Sequence, residues 1–201
     1  MQWNDHWRLE GRHAYLSPSK YHWIRYGRDK LEHKVDNELK AQEGTELHEL
    51  AKTLILKRIR LPRNNKTLNA YVNDAIGFRM TPEVVLAYYP PGCTDPEFFG
   101  TADAISFEVT DEGPILRIHD LKTGLHPGHF DQLKLYAVLW FLEYGKLYKV
   151  KPHDTTIALR IYQHDTCLQL VADPDEIVAI MEWGKEAHDI VKKRKEAWGE
   201  R

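Results

Sequence analysis

The run Pro114-Ile115-Leu116-Arg117-Ile118-His119-Asp120-Leu121-Lys122 constrains this chain more than any other part of it. Its alternation predicts a strand, in which residues two apart share a face. Leu116 and Ile118 then lie on one face with Asp120 and Lys122, and Leu121 lies on the other. An apolar stripe that turns into a carboxylate and an ammonium is costly unless those charges meet each other, water or a metal ion. Either the strand leaves the core at this point or the sheet ends in a polar site.

The preceding run favours the polar site. FFGTADAISFEV (98–109) also reads as a strand, and Asp111-Glu112-Gly113 between the two reads as a hairpin turn. Asp103 is set among small and apolar residues, and the hairpin would bring it beside Asp120. Two carboxylates at that distance repel, so a cation between them is expected. Hard oxygen donors suit Mg²⁺ or Mn²⁺. Such an ion would polarise a phosphate and activate water, with Lys122 positioning the water or balancing charge on phosphorus. Gly100 would admit a close neighbour, and Thr123-Gly124 ends the strand.

Around this hairpin the patterning predicts helices and further strands. Ser17-Pro18 starts a helix that Gly27 stops, Leu47, Leu50, Ala51, Leu54 and Ile55 mark a helix over 44–60, and 69–77 forms a short one. EVVLAYY (83–89) is a strand, and 128–144 is a helix with Leu133, Tyr136, Ala137, Trp140 and Phe141 on one stripe. TTIALRIYQ (155–163) and CLQLVA (167–172) form a second hairpin around His164-Asp165, and Asp173-Pro174 opens a last helix to about 197. The expected class is α/β or α+β, a central mixed sheet flanked by helices, in a single domain over 1–201. Residues 1–43 form a helical, aromatic and basic amino-terminal extension of it.

Composition narrows the function classes. With 42% hydrophobic and 29% charged residues the chain is neither disordered nor fibrous. It has no run of roughly 18 apolar residues and no leading apolar segment, so no membrane partner and a cytoplasmic location are expected. Two cysteines supply neither a disulfide framework nor a cysteine-rich zinc site. Motifs for nucleotide-loop, dinucleotide, serine-hydrolase and HExxH chemistry are absent.

Charge is uneven. Residues 1–70 hold 14 Lys+Arg against 9 Asp+Glu, whereas residues 71–201 hold 14 against 21. Lys52, Lys57, Arg58, Arg60, Arg63 and Lys66 run without an acid among them, which reads as a phosphate-holding surface or a solvated helix face. Trp3, Trp7, Tyr15, Tyr21, Trp23 and Tyr26, interleaved with Arg8, Arg12, Arg25 and Arg28, either stack bases or pack together. His126 and His129, an HxxH pair, read as solvent-exposed or groove-lining loop residues with a metal site as the alternative. Glu83 reads as an acid solvated in a turn, with support of an acidic site as its alternative.

Four ordered elements then carry a resemblance: Gly44-Thr45-Glu46-Leu47-His48, Gly100-Thr101-Ala102-Asp103, Asp120-Leu121-Lys122-Thr123-Gly124 and Gln132-Leu133-Lys134-Leu135-Tyr136. Together they resemble the PD-(D/E)XK nuclease superfamily, its RecB-like branch in particular, across about residues 44–137. LSPSKYHWI and EGTELHELA are similar to a phage and prophage group within it. The resemblance implies a restriction-endonuclease-like core, with His48, Asp103, Asp120 and the Leu121 carbonyl holding Mg²⁺ or Mn²⁺. It implies Lys122 as the catalytic lysine, and Gln132 and Tyr136 as residues that support the site or touch the DNA. Arg58, Arg60, Thr123 and His129 are then the expected DNA contacts, with DNA as the substrate, single-stranded or end-containing DNA among the options and the strand preference left open. A non-cleaving nucleic-acid-binding module of the same fold is the alternative.

Overall fold

The structure, a computed structural model, describes residues 16, 18–124 and 127–199. Ser17, His126, Trp3, Trp7, Arg8, Arg12 and Tyr15, singled out above, lie outside the described residues. These divide into two compact units between Glu43 and Gly44. In the first, the expected opening helix is a 3₁₀ helix, Pro18–Arg25, and α1 (Arg28–Leu56) begins just after Gly27. Lys30 Nζ stands 4.4 Å from the centre of the Tyr26 ring. The helix expected over 44–60 therefore starts sixteen residues earlier and stops sooner. Its leading half is rich in Lys, Glu, Leu and Gln, good helix formers without an apolar stripe to betray them.

The second unit is built on one mixed sheet in the order β1 (Thr81–Ala87), β2 (Phe99–Thr110), β3 (Gly113–Leu121), β4 (Thr156–Gln163), β5 (Thr166–Val171). Every neighbouring pair is antiparallel except β3–β4, which is parallel. A parallel join needs a crossover. Here α3 (Phe130–Trp140), a π-helical turn (Phe141–Gly145) and the single turn α4 (Lys146–Tyr148) supply it. At the other hairpin, His164 and Asp165 both have positive φ (49° and 57°), as a two-residue turn between twisted strands requires.

The sheet is covered on both faces. Leu86, Leu116, Ile118 and Ile161 pack with Leu133, Ala137 and Trp140 of α3 and Ile177 of α5 (Pro174–Gly199). Ala104, Leu121 and Tyr162 pack the other way, with Ala51 and Ile55 of α1 and Tyr71, Val72 and Ala75 of α2 (Thr67–Gly77). The alternation read from β3 holds: Leu116 and Ile118 go to one layer and Leu121 to the other. No described helix is long and apolar enough to cross a membrane.

Two helix ends share an unusual feature. After α1, Arg58 N donates to Ile55 O and Ile59 N to Leu54 O; after α2, Arg79 N donates to Ile76 O and Met80 N to Ala75 O. Both are Schellman caps, whose turning residue is usually glycine. Here it is arginine, at φ 54° for Arg58 and 53° for Arg79. A left-handed L-residue costs about 1–2 kcal/mol, and a cation near a helix C-terminus returns only about 0.3–1 kcal/mol. Arginine is thus not the residue that stability alone selects. Arg79→Gly should raise the unfolding free energy by about 0.5–1 kcal/mol, read from urea midpoints at unchanged slope.

Candidate metal centre

The centre lies where two strands change faces. β1 and β2 pair through Pro82↔Ala104 and Val84↔Ala102, and the rung between, Glu83 with Asp103, is missing from the ladder. Glu83 has φ 54°. Ala102 and Ile105 sit in one core layer and Ala104 in the other, so strict alternation breaks at Asp103. Glu83 is therefore not solvated in a turn. It is a half-buried strand residue whose carboxylate belongs to the site.

On the other side, the β2–β3 ladder stops at Ala104↔His119. The same register carried one step further sets Asp103 opposite Asp120. The Leu121 amide donates to Asp103 Oδ2 at 2.9 Å, and His48 Nδ1, from α1, lies 3.5 Å from the same oxygen. One donor atom each from His48, Glu83 and Asp103 fall within 4.8 Å of one another. Ligands at about 2.1 Å from one ion sit about 3–4 Å apart, so the three need little adjustment to share one.

Asp120 stands beside this trio and is only 2% exposed. Lys122 Nζ donates to its Oδ1 at 3.1 Å. Its Oδ2, 3.0 Å from the same ammonium but outside hydrogen-bond geometry, has no hydrogen bond. Ion-paired with the ammonium but accepting no hydrogen bond, this buried oxygen keeps lone-pair capacity that fits a divalent cation. Lys122 is held from its far side as well: Nζ donates to Gln132 Oε1 at 2.7 Å, and Gln132 Nε2 donates to Tyr136 Oη at 3.1 Å. The Lys122 amide bonds Tyr162 O at 2.9 Å, tying the lysine's backbone to β4.

Two glycines let the elements close. A β-carbon on Gly100 would lie 3.0 Å from Cε1 of Tyr136, and one on Gly44 would lie 2.6 Å from Thr123 Oγ1. Each spot is occupied by a side chain from a different motif.

The structure thus brings together His48, Asp103, Asp120, Lys122, Gln132 and Tyr136. Leu121 offers its amide to Asp103 and buries its side chain. Thr123 packs against Gly44, and His129 is exposed just ahead of α3. Arg58 and Arg60 line a separate cleft. Sequence reasoning undervalued Glu83 and missed Tyr71, a buried phenol whose ionisation is pushed up by burial and then by Asp103, Glu83 and Asp120. The one available signal for Glu83 was an acid opening a strand that pairs with the Asp103 strand. No family model, curated protein or solved structure matches the chain.

The electrostatics agree with the geometry. Burial, and then Asp120, push the Asp103 carboxyl up to about 6, against the opposing pull of His48 and the Leu121 amide. Burial also raises Asp120, with Lys122 pulling it back. The folded chain therefore holds these protons more tightly than an unfolded chain, where an aspartate titrates near 3.8. The Asp103 contribution to stability is full below that value and is lost as pH rises through about 6. In EDTA, Asp103→Asn should lose less stability than wild type between pH 4 and 7. The difference should reach about 2 kcal/mol by urea unfolding. Mn²⁺ should raise the wild-type melting temperature more at pH 7.5 than at pH 5, because the donors must be ionised. An equal rise at both values would count against carboxylate ligation.

Proposed function

We propose that this chain is a divalent-cation-dependent nuclease acting on DNA, with a core of the PD-(D/E)XK kind. One observation carries the reading: two carboxylates on adjoining strands, Asp103 and Asp120, converge with His48 and Glu83 at one end and with a clamped lysine at the other. His48, Glu83, Asp103 and Asp120 are the residues that would hold Mg²⁺ or Mn²⁺. A bound divalent cation supplies Lewis-acid polarisation of a phosphoryl oxygen and charge neutralisation.

The chain's own groups do the rest. Lys122 offers a fixed ammonium whose donors not engaged by Asp120 and Gln132 can reach an oxygen on phosphorus or orient the attacking water. Gln132 and Tyr136 are four apart on α3 and share a face, so Tyr136 fixes Gln132, which holds that ammonium from one side while Asp120 holds it from the other. This arrangement lowers the reorganisation needed when negative charge builds on the phosphate. The ordered sequence elements and the α-β-β-β-α-β succession around the site support the same assignment.

DNA incubated with the full chain should be cut with Mn²⁺ and left intact with EDTA. Asp120→Asn should abolish cutting. Lys122→Ala should slow it by about 10²–10³-fold, the usual effect of removing one group that stabilises transition-state charge. Cleavage that persists in EDTA, or at the wild-type rate in Lys122→Ala, would reject the mechanism.

A further inference from the structure

A second site lies at the entrance to β1. A cleft of about 540 Å³ opens there, within the range of nucleotide-sized ligand pockets. Its walls include Ile55 and Pro82, both buried, and three arginines, Arg58, Arg60 and Arg79; no lining residue is acidic. Among the described residues no carboxylate lies within ion-pair distance of any of the three. Arg60 makes one long bond, Nη1 to Asn73 O at 3.5 Å. Three arginines that line one cleft without a counter-charge offer an anion both positive charge and hydrogen-bond donors.

The backbone points the same way. Arg58 and Arg79 are the turning residues of the two Schellman caps, at a conformation that glycine adopts without strain. Two helices end so that two left-handed arginines line one cleft, and strain of this kind collects at ligand sites. The cleft also adjoins the metal centre along the chain, since Pro82 lines it and Glu83 follows directly. Arg58 and Arg60 had been grouped in sequence with Lys52, Lys57, Arg63 and Lys66; the cleft separates those two from the run and adds Arg79.

We propose that this cleft binds a phosphate of the nucleic-acid strand that the neighbouring centre acts on. The three guanidinium groups take the phosphate and the apolar wall takes the adjoining sugar or base. Arginine suits the task because its planar fork meets two phosphate oxygens at once. The proposal rests on the centre being a nucleic-acid site and does not require that it cuts.

The test measures binding of a labelled 12-nucleotide single strand to the full chain in EDTA across a salt series. The variant combines Arg58→Asn, Arg60→Gln and Arg79→Asn, asparagine being tolerant of the left-handed backbone. Binding should weaken at least tenfold, and the salt slope should become shallower by about 0.7, the value for one phosphate contact on a single strand. Replacing the same three residues by lysine should keep most of the slope. Unchanged affinity and slope in the first variant would overturn the proposal. Should that variant unfold, the wild-type arginine side-chain NMR signals are followed instead while inorganic phosphate, then a 5′-mononucleotide, is added. Shifts at Arg58, Arg60 and Arg79 support the cleft, and shifts confined to other arginines overturn it. Comparing 12-mers with and without a 5′-phosphate separates the two sources. Tighter binding of the phosphorylated strand, lost in the variant, assigns the cleft to a strand end; equal binding, weakened in the variant, assigns it to an internal phosphate. If wild type binds through the cleft yet never cuts with Mn²⁺, the nuclease reading fails and this one stands.

Discussion

Two aspartates set face to face across β2 and β3 place the heaviest demand on this structure. Both are withdrawn from water, and Asp120 adds to the cost of ionising Asp103. The residue just before Asp120 on β3 shows another response to burial: His119 is held neutral, its titration lowered to about 3 by burial, then Arg160 and Arg117. The aspartates are not relieved so fully. Lys122 offsets Asp120, and His48 with the Leu121 amide offsets Asp103. Glu83 adds a third carboxyl group to a cluster with one ammonium, and that imbalance makes a cation the natural complement.

The rest of the unit reads as the means of holding that arrangement. The β2–β3 hairpin sets the acids opposite each other, and the break in alternation at Asp103 lets Glu83 join them. The crossover through α3 delivers Gln132 and Tyr136 to the lysine. Gly100 and Gly44 leave room for Tyr136 and Thr123, so the helices close on the sheet at the motif positions. The same residues thus serve packing and site geometry together.

Much of this was legible in the sequence, for a physical reason. Strands repeat every two residues, so placing Asp120 and Lys122 on one face with Leu116 and Ile118 needed no tertiary information. A short turn at 111–113 then fixed which strand Asp103 would meet. What stayed hidden depended on departures from regularity. Glu83 enters the site through a left-handed backbone that no pattern announces. The first half of α1 has no apolar stripe, and the helix over 128–144 loosens into a π turn at Phe141–Gly145. Arg79 is distant in sequence from Arg58 and Arg60, and only the meeting of two helix ends joins them.

The parallel join between β3 and β4 also orders events in time. The hairpin that pairs the acids is local and can close as soon as residues 99–121 exist. The lysine waits. Its backbone is anchored to β4 and its side chain to α3, so it gains a settled position only after the crossover has come home. A chain still emerging during synthesis carries the repulsive half of the centre before the restraining half. The full set of contacts around Lys122 is consequently complete only once β4 and α3 are both in place.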